Sequence, residues 1–192
     1  MAIVRWIGCL LACVSLCFAS VAISPHLASA ADLRGGEQWG TTVLPTEGEP
    51  APEFELFDED GQVRHLSDWR GEWMVLYFYP KDFTSGCTIE ARRFQQDLPK
   101  YEAIGAEVVG ISADSVSSHR EFCDSEGLKF TLLSDPGGKV STRYGSWLGE
   151  MALRNTFIVD PDGVLQTVYP IVTPSMHSKE VLDELANLQS VA

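Results

Sequence analysis

The residues best suited to chemistry lie between Met74 and Glu90. A run of β-branched and aromatic residues, Val75 to Tyr79, predicts a strand that is buried on both faces, and Pro80 ends it. Residues 87–101 then have a composition that suits a helix, which places Cys87 near a helix N-terminus. Unpaired backbone N–H groups and the positive end of the helix dipole favour a thiolate there. This stretch therefore predicts a nucleophilic cysteine.

Strands and helices alternate on both sides of this stretch, and they must position the cysteine. The chain opens its globular part with a hairpin and closes with a second hairpin and a helix, so its order predicts an α/β, thioredoxin-like sandwich with an N-terminal β-hairpin. Predicted strands cover residues 54–57, 63–66, 75–79, 107–112, 130–134, 156–159 and 164–169, and predicted helices cover residues 87–101, 115–126, 139–144 and 178–189.

The first 30 residues are typical of a secretory signal peptide. They contain no acidic residue, one basic residue at Arg5, an apolar run and an Ala28-Ser29-Ala30 cleavage site. An uncleaved membrane anchor and lipidation at Cys13 are the alternatives. Residues 31–48 are interpreted as a linker and residues 49–192 as the catalytic domain. We therefore expect an exported protein, in the periplasm or a thylakoid-type lumen, or else one anchored to the membrane through its N-terminal segment.

Composition narrows the classes of partner. The formal net charge of −13 argues against nucleic acid and against an anionic membrane surface. The three histidines outside the signal peptide have no ligand-like spacing, so neither a metal nor another cofactor is predicted. Loss of the signal peptide would leave two cysteines, Cys87 and Cys123, which permits one disulfide in an exported protein.

The spacing of Pro80, Thr84 and Cys87 resembles the Pro-x-x-x-Thr-x-x-Cys signature of the peroxiredoxins. The lead-in Tyr-Phe-Tyr-Pro-Lys-Asp-Phe-Thr-Ser-Gly-Cys-Thr is most similar to the peroxiredoxin Q group, also called bacterioferritin comigratory protein, and the resemblance covers residues 48–189. It implies a thiol peroxidase that reduces hydrogen peroxide and small organic hydroperoxides through a cysteine sulfenic acid. Thioredoxin or a similar dithiol would be the reductant, and the protein would be a monomer.

Ionisation of Cys87 alone cannot make an efficient peroxidase. An ordinary cysteine is already a few per cent thiolate at neutral pH, so full ionisation gains only about 30-fold, or about 2 kcal/mol. Positioning of the peroxide and stabilisation of the departing oxygen must supply more. Thr84 offers a hydroxyl for this, but a cation is missing from the stretch.

Two further residues gain roles from the resemblance. The segment Arg-Asn-Thr-Phe-Ile-Val-Asp resembles the peroxiredoxin strand whose arginine reaches the active-site cysteine, which makes Arg154 the expected cation; a solvated surface arginine is the alternative. Its planar fork could meet both the thiolate and a peroxide oxygen. The family pattern Cys-x-x-Glu implies that Glu90 orients this arginine, although an ordinary first-turn glutamate would have the same position.

The resolving thiol is harder to assign. In many members of the group a second cysteine follows the first by five residues, but this chain has Arg92 there. Some members resemble an arrangement in which the resolving cysteine lies on the following helix, which implies Cys123; a buried core cysteine is the alternative. A disulfide needs Cα atoms within about 7 Å, which is hard to meet for Cys87 in the first turn of a helix packed on the sheet. We therefore expect the first turn around Cys87 to unwind during turnover, with the helix that bears Cys123 as a further candidate for unwinding.

Three other functions stay open at this point. One is a one-cysteine peroxidase that is resolved by an external thiol. Another is a thioredoxin-like disulfide oxidoreductase, although the Cys-x-x-Cys motif typical of that class is absent. The third is a non-catalytic binding module with the same fold.

Overall fold

The computed structural model describes residues 43–191. The predicted signal peptide and residues 31–42 of the predicted linker lie outside the described residues. In chain order the elements are β1 (Glu55–Asp58), β2 (Val63–His65), a 3₁₀ turn (Leu66–Trp69), β3 (Trp73–Phe78), α1 (Ser85–Ala103), β4 (Ala106–Ser112), α2 (Val116–Glu126), β5 (Thr131–Ser134), α3 (Lys139–Arg143), β6 (Thr156–Val159), β7 (Leu165–Tyr169) and α4 (His177–Val191).

One mixed sheet organises these elements. Its strand order is β2-β1-β5-β4-β3-β6-β7, with β3, β4 and β5 parallel and with antiparallel pairs at both sides. The parallel strands are joined by α1 and α2, as parallel neighbours require crossover connections. The predicted α/β, thioredoxin-like class with an N-terminal β-hairpin is confirmed.

The core lies on both faces of the sheet because alternate residues of β3 point to opposite sides. Val75 and Tyr77 pack into one buried cluster together with residues of α1, α2 and α4. Leu76 and Phe78 pack into the other cluster, which includes residues of β1 and α3. The buried interior of β3 therefore agrees with its continuous apolar sequence.

The edges of the domain differ slightly from the sequence prediction. Residues 43–48, which the composition assigns to the linker, contact the domain: Leu44 packs against the second cluster, and the backbone N–H of Gly48 donates to the carbonyl of Leu165 at 2.7 Å. Composition indicates that a segment is flexible in isolation. It does not show whether the segment packs against the edge of a folded sheet. Within residues 43–191, no helix is both long enough and apolar enough to cross a bilayer.

Candidate active site

The site lies where the C-terminal end of β3 meets the N-terminal end of β6. The two strands are antiparallel, with Tyr77 opposite Thr156, and the backbone N–H of Phe78 donates to the carbonyl of Asn155 at 2.8 Å. The chain leaves β3 for α1, which carries Cys87, and it enters β6 two residues after Arg154. Strand pairing thus brings together two residues that are 67 positions apart.

Helix α1 presents Cys87 in its first turn. Thr84 is the N-cap residue with extended backbone angles, Ser85 begins the helix, and Cys87 is its third residue. The first backbone N–H groups of a helix have no partner within it, and the dipole places positive potential there. The thiol is only 1% exposed, so this potential acts with little screening by water.

Arg154 links Cys87 to Glu90. Its Nη2 donates to the Cys87 sulfur at 3.3 Å, and its Nη1 donates to a carboxylate oxygen of Glu90. Burial by itself disfavours the cation, but the negative groups Glu90 and Cys87 favour it, and the pKa of Arg154 is raised above its usual value. The guanidinium therefore stays charged beside the sulfur.

Glu90 is held in a buried position beside Arg154. Its residue is 1% exposed, and its second carboxylate oxygen, Oε1, is buried without a protein hydrogen-bond partner. Burial raises the pKa of Glu90 to about 7, although the charge and the hydrogen bond of Arg154 act in the opposite direction. The carboxylate is consequently one of the few groups here whose charge changes near neutral pH.

The sequence predictions assigned no role to two residues next to this contact, Asn155 and Gly86. Asn155 uses its side-chain N–H to donate to Ser146 Oγ at 2.9 Å and its side-chain oxygen to accept from the backbone of Ile171 at 3.0 Å. Gly86 leaves room for the arginine, because a Cβ atom there would lie 3.3 Å from Arg154 Nη2. The signal was adjacency: Asn155 follows Arg154, and Gly86 precedes Cys87.

Pro80 and Thr84 shape the loop between β3 and α1. Pro80 directly follows the last buried tyrosine of the strand segment, where the chain turns away from the sheet. The Thr84 hydroxyl donates to the carbonyl of Lys81 at 2.9 Å. Because that hydrogen is already engaged, the hydroxyl oxygen is available at this entrance only as an acceptor.

Cys123 lies on α2 and is buried in the same core cluster as Cys87. Both cysteines are free thiols in the structure. Burial, and after it the carboxylates of Glu59 and Asp82, raise the pKa of Cys123 to about 12. In this conformation Cys123 is therefore a protonated, poorly nucleophilic thiol.

No group of three histidine, cysteine or acidic residues within residues 43–191 is arranged to hold a metal ion. Two of the histidines in this range, His119 and His177, are fully buried core residues.

Comparisons with known proteins give one consistent result. Residues 48–168 match the model of the AhpC/TSA family. A chloroplastic peroxiredoxin Q of Oryza sativa subsp. japonica is 42% identical over 147 residues, which cover 74% of this chain and 68% of that protein. Peroxidoxin BcpB of Mycobacterium tuberculosis has a solved structure with a TM-score of 0.69 at 32% identity, covering 73% and 96% of the two chains. A cysteine mutant of PrxQ from Xylella fastidiosa gives a TM-score of 0.70 at 30% identity, covering 76% and 99%.

The buried carboxyl of Glu90 yields a prediction about stability and pH. Between the ordinary pKa of 4.5 and the folded value of about 7, the folded state holds more protons than the unfolded chain. The free energy of unfolding should therefore fall as pH rises across this window, by about 3 kcal/mol at most. Glu90→Gln should remove this component, as measured by urea unfolding at a series of pH values.

Glu121→Gln is the matched control, since Glu121 is exposed on α2. It should keep the pH dependence of the wild type. An identical slope in wild type and Glu90→Gln would contradict the assignment.

Proposed function

The chain belongs to the AhpC/TSA family and is a peroxiredoxin, and from this premise we propose that Cys87 is its peroxidatic cysteine, assisted by Arg154, Thr84 and Glu90. The resemblance drawn from the motif of Pro80, Thr84 and Cys87 is confirmed by the family match. The observation that carries the proposed mechanism is the 3.3 Å contact between Arg154 Nη2 and the Cys87 sulfur.

The first step is attack of the Cys87 thiolate on one oxygen of a hydroperoxide. A sulfur–oxygen bond forms, the O–O bond breaks, and the departing oxygen leaves as water or an alcohol after taking up a proton. Negative charge moves from sulfur to that oxygen, and the guanidinium of Arg154 can stabilise it in both positions. The acceptor oxygen of Thr84 suits the O–H group of the peroxide, which supports its role in orientation.

Glu90 is proposed as a positioning residue. It engages one arm of the guanidinium, which leaves the other arm directed at the sulfur. A planar fork can serve both partners at once, whereas a lysine ammonium has no such fixed geometry.

The second step would be resolution of the Cys87 sulfenic acid by Cys123. The Cys123 sulfur attacks the Cys87 sulfur, a disulfide forms and water leaves. Burial and a pKa of about 12 oppose this attack in the folded conformation, so the step requires a rearrangement that exposes Cys123. A dithiol such as thioredoxin would then reduce the disulfide by exchange.

The substrates and the setting follow from the same reading. We propose hydrogen peroxide and small organic hydroperoxides as oxidants, and a protein exported by its N-terminal segment. The chloroplastic location named for the plant relative fits passage out of the compartment of synthesis. The monomeric state stays a prediction.

Substitution of Arg154 tests whether its contact with the Cys87 sulfur is needed for the reaction with peroxide. Arg154→Lys keeps the charge but loses the fork, so the rate constant for oxidation of Cys87 should fall by about 100-fold, and Arg154→Gln should cost about tenfold more. Stopped-flow measurement with hydrogen peroxide and with an alkyl hydroperoxide gives these rates. Arg93→Lys, on the exposed side of α1, is the control and should react at the wild-type rate. Wild-type rates in both Arg154 variants would refute the proposed mechanism.

Substitution of the cysteines tests the two thiol roles separately. Cys87→Ser should lose peroxide consumption altogether, because the nucleophile is gone. Cys123→Ser should keep the oxidation step but accumulate sulfenic and sulfinic acid at Cys87, as seen by mass spectrometry of peroxide-treated protein. The wild type should show a Cys87–Cys123 disulfide without added reductant; its absence would favour the one-cysteine mechanism with an external thiol.

A further inference from the structure

A buried polar cluster joins the loop before Cys87 to the helix that carries Cys123. The carboxylate of Asp82 accepts from the Tyr79 hydroxyl at 2.8 Å and from the Ser118 hydroxyl at 2.7 Å, and it lies 2.9 Å from His119 Nδ1. We call these four residues the Asp82 clamp. Tyr79 and Asp82 follow the end of β3, whereas Ser118 and His119 belong to the first turns of α2.

Three of the four clamp residues are buried, and Ser118 is partly buried. Asp82 is 3% exposed and His119 is fully buried. His119 Nε2 lies 3.2 Å from the carbonyl oxygen of Leu133, so each ring nitrogen of His119 has an oxygen atom within hydrogen-bond distance. Burial alone raises the pKa of a carboxyl, but the hydrogen bonds and charge of His119, with Ser118 and Tyr79, bring the pKa of Asp82 below its usual value. The clamp therefore holds an ionised carboxylate away from water.

The loop is fixed at its backbone as well. The backbone N–H of Asp82 donates at 2.9 Å to the side-chain carboxylate of Asp114, two residues after the end of β4. The next residue, Phe83, has a φ of 60°, which is the left-handed region that side chains rarely adopt. Its half-exposed ring packs on Phe122 of α2 with centroids 5.1 Å apart. Such a conformation persists only where its surroundings enforce it.

The clamp and Cys123 share one face of α2. His119 and Cys123 are four residues apart, so their side chains lie above one another on the helix, and both are buried. If Cys87 moves toward Cys123, the residues between Asp82 and the first turn of α1 have to change conformation. A closed clamp holds Asp82 in place and so restricts that change.

We propose that the Asp82 clamp holds the loop before Cys87 in the conformation that reacts with peroxide, and that its opening frees Cys87 to form the disulfide with Cys123. His119 and Ser118 are then positioning residues, which act on Cys87 through Asp82. This inference rests on the proposed roles of Cys87 and Cys123.

The test measures both steps in the same variants. In a Cys123→Ser background, His119→Gln should slow oxidation of Cys87 by roughly tenfold, the factor typical of losing a hydrogen bond to a buried charge. With Cys123 present, the same substitution should speed disulfide formation. The peroxide concentration that converts half of Cys87 to sulfinic acid should accordingly rise by a similar factor. Stopped-flow kinetics and mass spectrometry report the two quantities.

Ser118→Ala is the milder variant, since it removes one donor and leaves the His119 pair in place; it should change both quantities in the same directions by smaller factors. In the double variant with His119→Gln, each measured quantity should change by less than the product of the two single-variant factors, because both substitutions act through Asp82. Arg92→Gln is the control: it breaks an exposed α1–α2 ion pair with Glu126 and should change either step by less than about twofold.

Opposite changes in the two steps support the clamp. A fall in both rates, or wild-type values for both in His119→Gln and Ser118→Ala, would overturn it and leave the peroxidase function intact. If the wild type forms no Cys87–Cys123 disulfide, the clamp falls together with the resolving role of Cys123, while loss of activity in Cys87→Ser would still identify the peroxidatic cysteine.

Discussion

The contact between the Arg154 guanidinium and the Cys87 sulfur is the interaction on which the rest of the structure depends. It requires β3 and β6 to be antiparallel neighbours, because only then do the chain leaving β3 and the chain entering β6 meet at one end of the sheet. It also requires a counter-charge, since a cation under apolar side chains is costly without one. Glu90 supplies that charge from the same helix turn as the cysteine.

The environment that suits the proposed attack on peroxide opposes the proposed resolution by Cys123. A sulfur at a buried helix N-terminus gains from the dipole and from a guanidinium that water screens little. The same burial leaves Cys123 protonated, with a pKa of about 12, and keeps both thiols inside one apolar cluster. If Cys123 resolves Cys87 as proposed, one static conformation would not serve both steps. The proposed mechanism therefore requires a second state of higher free energy, in which the beginning of α1 is released.

Most of the fold could be predicted from local sequence, whereas the contacts of the site could be predicted only in part. The apolar run of β3 and Gly127 at the end of α2 are local signals, and the structure has both elements. The pairing of β3 with β6, and hence the distance from Arg154 to Cys87, is a long-range property that only the family resemblance suggested. Asp82 belongs to the lead-in that resembles the peroxiredoxin Q group, but nothing in the sequence linked it to His119, because the two residues look like a loop aspartate and a helix histidine.

The chemical character of the clamp explains why a polar cluster would occupy a position that apolar side chains could fill. Replacing buried charged and hydrogen-bonded groups with packed apolar residues is often neutral or stabilising, so stability alone is a weak reason for such a cluster. An apolar contact, however, tolerates sliding, whereas three donors on one carboxylate define a single arrangement. Once one donor leaves, the remaining charge needs water, so partial opening is disfavoured. Such a cluster is closed or open with little between, which is the property required of an element that separates a peroxide-reactive conformation from a disulfide-forming one.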